Sequence, residues 1–311
     1  MIDLSISIVN TSNRELLKNC LGSIYHSQLS QFRIEVIVVD NASNDGSPEM
    51  VKELYPQVVL IENNKREGFS SNHNKAIRIS QGKYILVLNE DTILEKGALK
   101  NTIEFMNSNN QIGVMGCKAY FPDGGMQYTC GRFPKYMWEL LRLTLGIIIP
   151  IKFKYTSWKF MHDFDYSENK EVDWVCGVYF VIRRDLIEII GYLDDNIFIY
   201  YEDVEYCMRM RSKTPYKVCF NPDIIITHYQ GMSNNPNSYW SLAQNVKSGA
   251  YYFGKLYGKR ASMLFYFTCL TFYIITFPFI QFINLITFKK IPQIERRSFM
   301  LRDLIKRIVL K

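Results

Sequence analysis

The chain has 311 residues, enough for a large core and an appendage, and its 37 Lys/Arg against 30 Asp/Glu give a net charge of +7. That charge is uneven: Lys247 to Lys311 holds twelve Lys/Arg and two Asp/Glu, so this tail carries +10 and residues 1–246 carry −3. Seven cysteines without a C-x-x-C pair argue against a disulfide framework or a zinc centre and for reduced thiols in a cytosolic protein; the tail lacks any zinc-finger or RNA-recognition signature, which favours an anionic membrane surface over nucleic acid.

In chain order, Met1 to Val9 lacks the basic start of a signal peptide and reads as a strand, Ile6–Asn10. Ser12-Asn13-Arg14-Glu15 has capping-box spacing, and Leu17, Cys20, Leu21 and Ile24 then form one apolar helix face. Glu35–Val39 is a near-continuous apolar strand, as in a sheet covered on both sides. A polar turn, Asn41–Gly46, leads to Ser47-Pro48, an N-cap with proline at the first helical position. Val58–Ile61 is a third strand, Ser71–Ile79 a helix and Tyr84–Leu88 a fourth strand. This alternation predicts a doubly wound α/β sheet, parallel over this half.

From Ile112 to about Val172 the alternation breaks down around Gly124-Gly125, Gly131, Pro134 and Pro150, as an inserted loop region or half of a cleft would. It resumes with Val172–Ile182, a helix over Arg184–Ile190, a helix opened by Glu202-Asp203, and short strands at Val218–Phe220 and Ile224–Thr227. Ala261 to Phe288 contains no charged side chain over 28 residues, long enough for a bilayer core, although Gln281, Asn284 and Pro278 dilute it. Basic residues flank both ends, so a span competes with an interfacial helix pair. Leu301, Leu304, Ile305 and Ile308 then mark a basic amphipathic helix suited to an anionic leaflet. These features divide the chain into a domain over 1–240, with halves 1–110 and 111–240, and a membrane-associating helical tail over 241–311, its membrane contact placed in 255–311.

Three apolar strands each deliver acidic residues, at Asp40, at Asn89-Glu90-Asp91 and, beyond the break, at Glu202-Asp203. Carboxylates at carboxyl strand ends stand where open α/β sheets bind ligands. Asp40, helped by Asp45, suits hydrogen bonding to a base. Asp91 suits a divalent ion, Mg²⁺ or Mn²⁺, with His228 completing the shell. Asp203, at a helix start beside Glu202, suits a general base for an acceptor hydroxyl. Asn10-Thr11-Ser12-Asn13-Arg14 contains no glycine, and no G-x-x-x-x-G-K-[ST] occurs, so dinucleotide oxidoreductases and P-loop NTPases are disfavoured.

Ser7-Ile8-Val9-Asn10, Val38 to Ser47, Asn64 to Asn74, Leu88 to Thr92, Val172 to Gly177, Gly191 to Asp194, Tyr201 to Glu205 and His228 together resemble family-2 glycosyltransferases of the GT-A fold, rhamnosyltransferase-like enzymes in particular, over residues 4 to 232. The resemblance implies an inverting transfer of a sugar from a nucleotide-diphosphate donor. It favours L-rhamnose from dTDP-rhamnose, with galactose, galactofuranose or N-acetylhexosamine as alternatives. The acceptor would be a polyprenyl-diphosphate-linked glycan at the cytoplasmic face of the cell membrane, in bacterial surface polysaccharide synthesis. Asn10, Asp40, Asn41, Asp45, Gly68, Asn72 and Asn89 would hold the donor, with Asp173, Trp174 and Gly177 shaping the sugar site. Asp91 and His228 would hold the metal, and Asp203 and Glu202 would serve catalysis. Asn89-Glu90-Asp91 departs from the D-x-D of many relatives, leaving one aspartate for the ion. No Q-x-x-R-W motif marks a processive polymerase, and the lack of a glycine-rich loop after the first strand disfavours a nucleotidyltransferase. The rival of another class is a non-catalytic nucleotide-sugar-binding assembly partner.

Overall fold

The computed structural model describes residues 2–27, 31–145, 154–229 and 239–286. The first half runs β1 (Leu4–Asn10), α1 (Arg14–Tyr25), β2 (Ile34–Asp40), α2 (Ser47–Leu54), β3 (Val59–Glu62), α3 (Phe69–Ile79), β4 (Tyr84–Asn89), β5 (Thr92–Leu94) and α4 (Ala98–Ser108). There follow β6 (Ile112–Tyr120), β7 (Met126–Gln127), β8 (Cys130–Gly131), α5 (Tyr136–Leu143), α6 (Lys154–Lys159), β9 (Lys170–Val172), β10 (Trp174–Val175) and β11 (Tyr179–Arg183). The chain continues through α7 (Asp185–Ile190), α8 (Glu202–Lys213), β12 (Lys217–His228), α9 (Tyr239–Tyr257) and α10 (Lys259–Ile286).

The main sheet has the order β3-β2-β1-β4-β11-β6-β12-β5. Strands β1 to β4 pair in parallel, β11 runs antiparallel to both β4 and β6, and β6 and β12 are parallel. The fold is thus a mixed, mostly parallel α/β sheet with helices. In β1, Leu4, Ile6 and Ile8 are fully buried and share a core with Leu17, Cys20, Leu21 and Ile24 of α1. Each such buried Leu or Ile contributes about 1.5–3 kcal/mol of apolar burial. The alternate residues Ser5 and Ser7 are buried too, but each has a polar partner: Glu35 at 2.6 Å and His73 at 2.8 Å. A strand reading LSISIVN therefore loses no hydrogen bonding on its polar side.

Four expectations are corrected. The capping box does not form: Ser12 has φ of +56°, helix α1 starts at Arg14, and its backbone N–H is taken by Asp45 Oδ2 at 2.9 Å. Ser47 is the first residue of α2 rather than its cap, which is Gly46 in the left-handed region. Residues 112–120, expected in an irregular stretch, form a buried strand inside the sheet. Its glycines are packing devices: a Cβ on Gly116 would lie 2.5 Å from Val175 Cβ, and one on Gly113 would lie 2.8 Å from Met210 Sδ. The two short strands expected after residue 217 are one, β12, interrupted by a register shift between Asn221 and Ile225.

Contacts divide the chain into Met1–Phe133 with Trp158–Ser233, and Pro134–Ser157 with Asn234–Lys311. Residues 134–157, placed by the sequence in the larger domain, thus group with the C-terminal helices. Within this second unit the Tyr136 ring packs on Phe253 and Phe265, and Tyr273 OH donates to the Leu143 carbonyl at 2.5 Å. Along α10, Phe265, Cys269 and Tyr273 are buried, while Leu264 (63% exposed), Phe267 (53%) and Ile275 (68%) face outward. No helix among the described residues is long and apolar enough to cross a membrane. Residues 287–288 and the amphipathic segment expected around Leu301 to Ile308 lie outside the described residues.

Asn74 on α3 fastens the loop before α8, exchanging hydrogen bonds with the Leu193 backbone (2.8 and 3.1 Å) and donating to Asp195. Asn74→Ala leaves a buried N–H and C=O without partners. The expected loss is about 2–3 kcal/mol of unfolding free energy, read as a lowered urea midpoint with unchanged slope.

Candidate active site

The order 3-2-1-4 reverses direction at β1 and β4, so their carboxyl ends open a crevice. Register brings Asn10 beside Asp40, and Val9 beside Asn89. Asn10, fully buried, donates to Asp40 Oδ1 (3.0 Å) and Ser43 Oγ (3.1 Å), while Ser43 N–H donates to Asp40 Oδ2 (2.9 Å). Asp40, Ser43, Asn44, Glu62, Asn63 and Asn64 line an open polar cleft here. Ser12 and Ala42, in the loops after β1 and β2, both adopt φ of +56°. Such backbone is costly for non-glycine residues and concentrates at functional sites.

Asp45 ties these two loops together, accepting from Arg14 N–H and from the Ser47 N–H and hydroxyl. Partial burial works against its charge, but those hydrogen bonds outweigh it and hold the carboxyl below its ordinary 3.8. Asn41 and Asn72 turn inward. Asn41 donates to Thr11 and to the Glu67 carbonyl and accepts Glu67 N–H at 2.8 Å; Asn72 donates to the Glu67 and Gly68 carbonyls. Both amides thus hold residues 63–68, with Asn63, which the sequence reading missed, bridging them. Gly68 permits a close approach: a Cβ there would lie 2.8 Å from the Phe198 carbonyl oxygen.

Asp91 and His228, 137 residues apart in sequence, meet with Asp91 Oδ1 3.2 Å from His228 Nε2, both almost fully buried. Two neighbouring ligands of an octahedral ion with bonds of about 2.1 Å would be separated by about 3.0 Å, so this pair fits a small divalent cation. Among the described residues no three His, Cys, Asp or Glu side chains converge as a metal cluster. Such an ion would therefore take further oxygens from a phosphate or water. Asn89 lies half-buried at the end of β4, and its carbonyl accepts the Thr92 hydroxyl. Glu90 accepts from Asn13 at 2.8 Å, and burial, then the charge of Asp91, push its carboxyl up to about 8.

Glu202 and Asp203 open α8 after Tyr200 and Tyr201, both at positive φ (65° and 72°). Asp203 accepts backbone N–H groups from Val204 (2.7 Å) and Gly177 (3.1 Å). Burial raises its carboxyl above the ordinary value, against those hydrogen bonds and the nearby Lys159 cation. Glu202 is 6% exposed, its Oε2 has no hydrogen-bond partner, and burial followed by the Asp203 charge raises its carboxyl well above the ordinary range. Gly177 stands between centres: the next residue's carbonyl, Val178 O, accepts Asn89 N–H at 3.1 Å. The base candidate is thus joined through Gly177 and Val178 to the end of β4, two residues before Asp91.

Asp173 precedes β10 and Trp174 begins it, where β10 pairs with β8. Asp173 accepts Phe133 N–H at 2.8 Å and pairs with Arg211; the Trp174 indole donates to the Arg132 carbonyl at 2.9 Å, and its ring would contact a Cβ on Gly131. Lys159 and Gln127 were not singled out from the sequence. Lys159 sits in a stretch without periodicity, and Gln127 gave no signal beyond following Gly124-Gly125.

The family model for glycosyl transferase family 2 matches residues 5–191. The N-acetylglucosaminyl-diphospho-decaprenol L-rhamnosyltransferase of Mycobacterium tuberculosis is 23% identical over 256 residues, covering 79% of this chain and 82% of its own. The low-salt glycan biosynthesis hexosyltransferase Agl10 of Haloferax volcanii is 27% identical over 68% of this chain and 62% of its own length. Among solved structures, the mannosyltransferase PcManGT of Pyrobaculum calidifontis, in complex with GDP-Man and Mn²⁺, is similar with a TM-score of 0.54 at 15% identity, over 98% of this chain and 86% of that one. S. aureus TarS 1–349 in complex with UDP aligns with a TM-score of 0.53 at 14% identity, over 81% and 66%. At these identities the structures speak to the fold, which is theirs.

Asp45 gives a pH test. Its folded-state value is depressed, so its stabilisation is present above the unfolded value near 3.8 and is lost as pH falls through the lower folded value. Asp45→Asn should therefore lower Tm at neutral pH, and the gap to the unsubstituted protein should close in strong acid.

Proposed function

The chain belongs to glycosyl transferase family 2, and on that premise we propose that this glycosyltransferase is an inverting enzyme that moves one sugar from a nucleotide-diphosphate donor to a lipid-linked glycan. The observation that carries the reading is Asp203: a part-buried carboxylate, raised above its ordinary value by desolvation and held by Gly177 N–H, whose next residue, Val178, accepts Asn89 N–H at the end of β4, two residues before Asp91. A raised carboxylate is a better acceptor for a hydroxyl proton.

In this reading the first unit is catalytic. Asp40 and Asn10 bind the base, and Asp45, Asn41, Asn72 and Gly68 keep the surrounding loops in shape. Asp91 and His228 would hold Mg²⁺ or Mn²⁺, whose charge would offset that of the leaving diphosphate. Asn89, in place of the aspartate of many relatives, leaves the site one charge less negative. Asp203 takes the proton of the acceptor hydroxyl as that oxygen attacks the anomeric carbon from the side opposite the diphosphate. Glu202, protonated, offers a hydrogen bond without adding a second negative charge. Asp173 and Trp174 brace the strand leading to Gly177. The Mycobacterium relative supports L-rhamnose as the favoured sugar and a polyprenyl-diphosphate glycan as acceptor. Galactose, galactofuranose and N-acetylhexosamine stay as alternatives for the donor panel.

A lipid-linked acceptor places the work at a membrane surface, on the cytoplasmic side where nucleotide sugars are made. The outward residues of α10, beside exposed Lys259 and Arg260 and without an acidic residue from 261 to 286, suit shallow insertion into an anionic leaflet. The tail over 241–311 is assigned this role.

The reaction is tested by nucleotide release from a panel of dTDP-, UDP- and GDP-sugars with lipid-linked acceptor, in Mn²⁺ or EDTA. One donor should release nucleotide in a metal-dependent way. Asp203→Asn should cut that turnover by about 10²–10⁴-fold while donor affinity stays within a few-fold. No release from any donor favours a binding partner instead. For the surface, Leu264→Ser, Phe267→Ser and Ile275→Ser combined should abolish flotation with anionic vesicles; undiminished flotation removes this helix from the assignment.

A further inference from the structure

Gln127 lies at the end of the short strand β7, which pairs with β6 through Ala119 and Gln127. Its side chain is buried and grips His228 twice. Gln127 Nε2 donates to the His228 carbonyl oxygen at 2.8 Å and, more distantly, to the Tyr120 carbonyl at 3.5 Å. That fixes which end of the amide is which, because only the nitrogen can donate to a carbonyl. The remaining atom, Oε1, stands 2.7 Å from His228 Nδ1. An amide oxygen only accepts, so Nδ1 carries the hydrogen and donates. In a neutral ring, Nε2 is then bare, and its lone pair faces Asp91 Oδ1 at 3.2 Å. Two acceptors at that distance repel each other unless a proton or a cation lies between them.

We propose that Gln127 is a positioning residue for the metal: it holds His228 in the Nδ1–H tautomer with Nε2 presented as a ligand beside Asp91. Histidine ligands are commonly oriented by a hydrogen bond from their other nitrogen, and losing that partner typically weakens metal binding about 10–100-fold. The effect weighs more here, because Asn89 leaves one aspartate from its motif for the ion. The inference rests on the metal reading of Asp91 and His228, and the experiment separates the two.

Mn²⁺ affinity of the full chain is measured by titration calorimetry and by the loss of the free-ion EPR signal, without donor or turnover. Unsubstituted protein should bind Mn²⁺, and Asp91→Asn should not; if the unsubstituted protein binds none, the metal reading falls and this assignment with it. Gln127→Met removes both grips and should weaken binding about 10–100-fold. Gln127→Glu keeps an acceptor for Nδ1 but loses the donation to the His228 carbonyl, and should stay within a few-fold of the unsubstituted protein. Equal weakening in both variants would assign Gln127 a backbone brace only, and unchanged binding in Gln127→Met would remove it altogether. Nitrogen-15 NMR of the metal-free, unsubstituted protein reads the tautomer without a variant. The His228 ring should carry its hydrogen on Nδ1, and a ring protonated only on Nε2 would overturn the proposal.

Discussion

The register of β1 between β2 and β4 is the constraint on which the site depends. It sets Asn10 against Asp40 and Val9 against Asn89. A slip of one residue would turn Leu4, Ile6 and Ile8 out of their core and present Ser5 and Ser7 to it. Three fully buried aliphatic residues on one side, and serines with partners already waiting on the other, make that slip expensive. The same register that satisfies the core aligns two strand ends at the reversal of the sheet, where Asn10 then has no choice but to meet Asp40.

Beyond that alignment the site is governed by like charge. Glu90 sits beside Asp91, and Glu202 beside Asp203, each pair largely out of water. Neither pair keeps two full charges easily, and both answers are local. Within each pair burial acts together with the neighbouring carboxylate to push the Glu90 and Glu202 carboxyls upward. Asp203 keeps its charge more readily because two backbone N–H groups and the Lys159 cation offset its burial.

Much of this was legible in the sequence, for reasons that differ by residue. Asp40, Asp91 and Asp203 stand at the ends of apolar runs or at a helix start, and those positions have a physical signature. What the sequence could not convey is direction. Asn41 follows Asp40 in its motif and Asn72 lies in the Asn64 to Asn74 stretch, yet both amides turn inward and hold residues 63–68. Gly113 and Gly116 drew no notice, because a sequence does not reveal that Met210 and Val175 fill the space their side chains would take. Gln127 was invisible because its whole significance lies in a contact with His228, 101 residues away. At the start of α1 the capping box gives way to a partner from another loop, since Asp45 accepts the Arg14 N–H.

The second unit is assembled from two stretches of chain, Pro134–Ser157 and Asn234–Lys311. During synthesis the aromatic and apolar side chains of α5, Tyr136 among them, therefore emerge well before Phe253 and Phe265 exist. With ribosomes adding about 5–20 residues per second, that interval lasts several seconds. Over this time the catalytic layers can close while an apolar segment stays without its partners. The nascent chain thus carries an apolar stretch whose partners within its own unit arrive only at the end of synthesis.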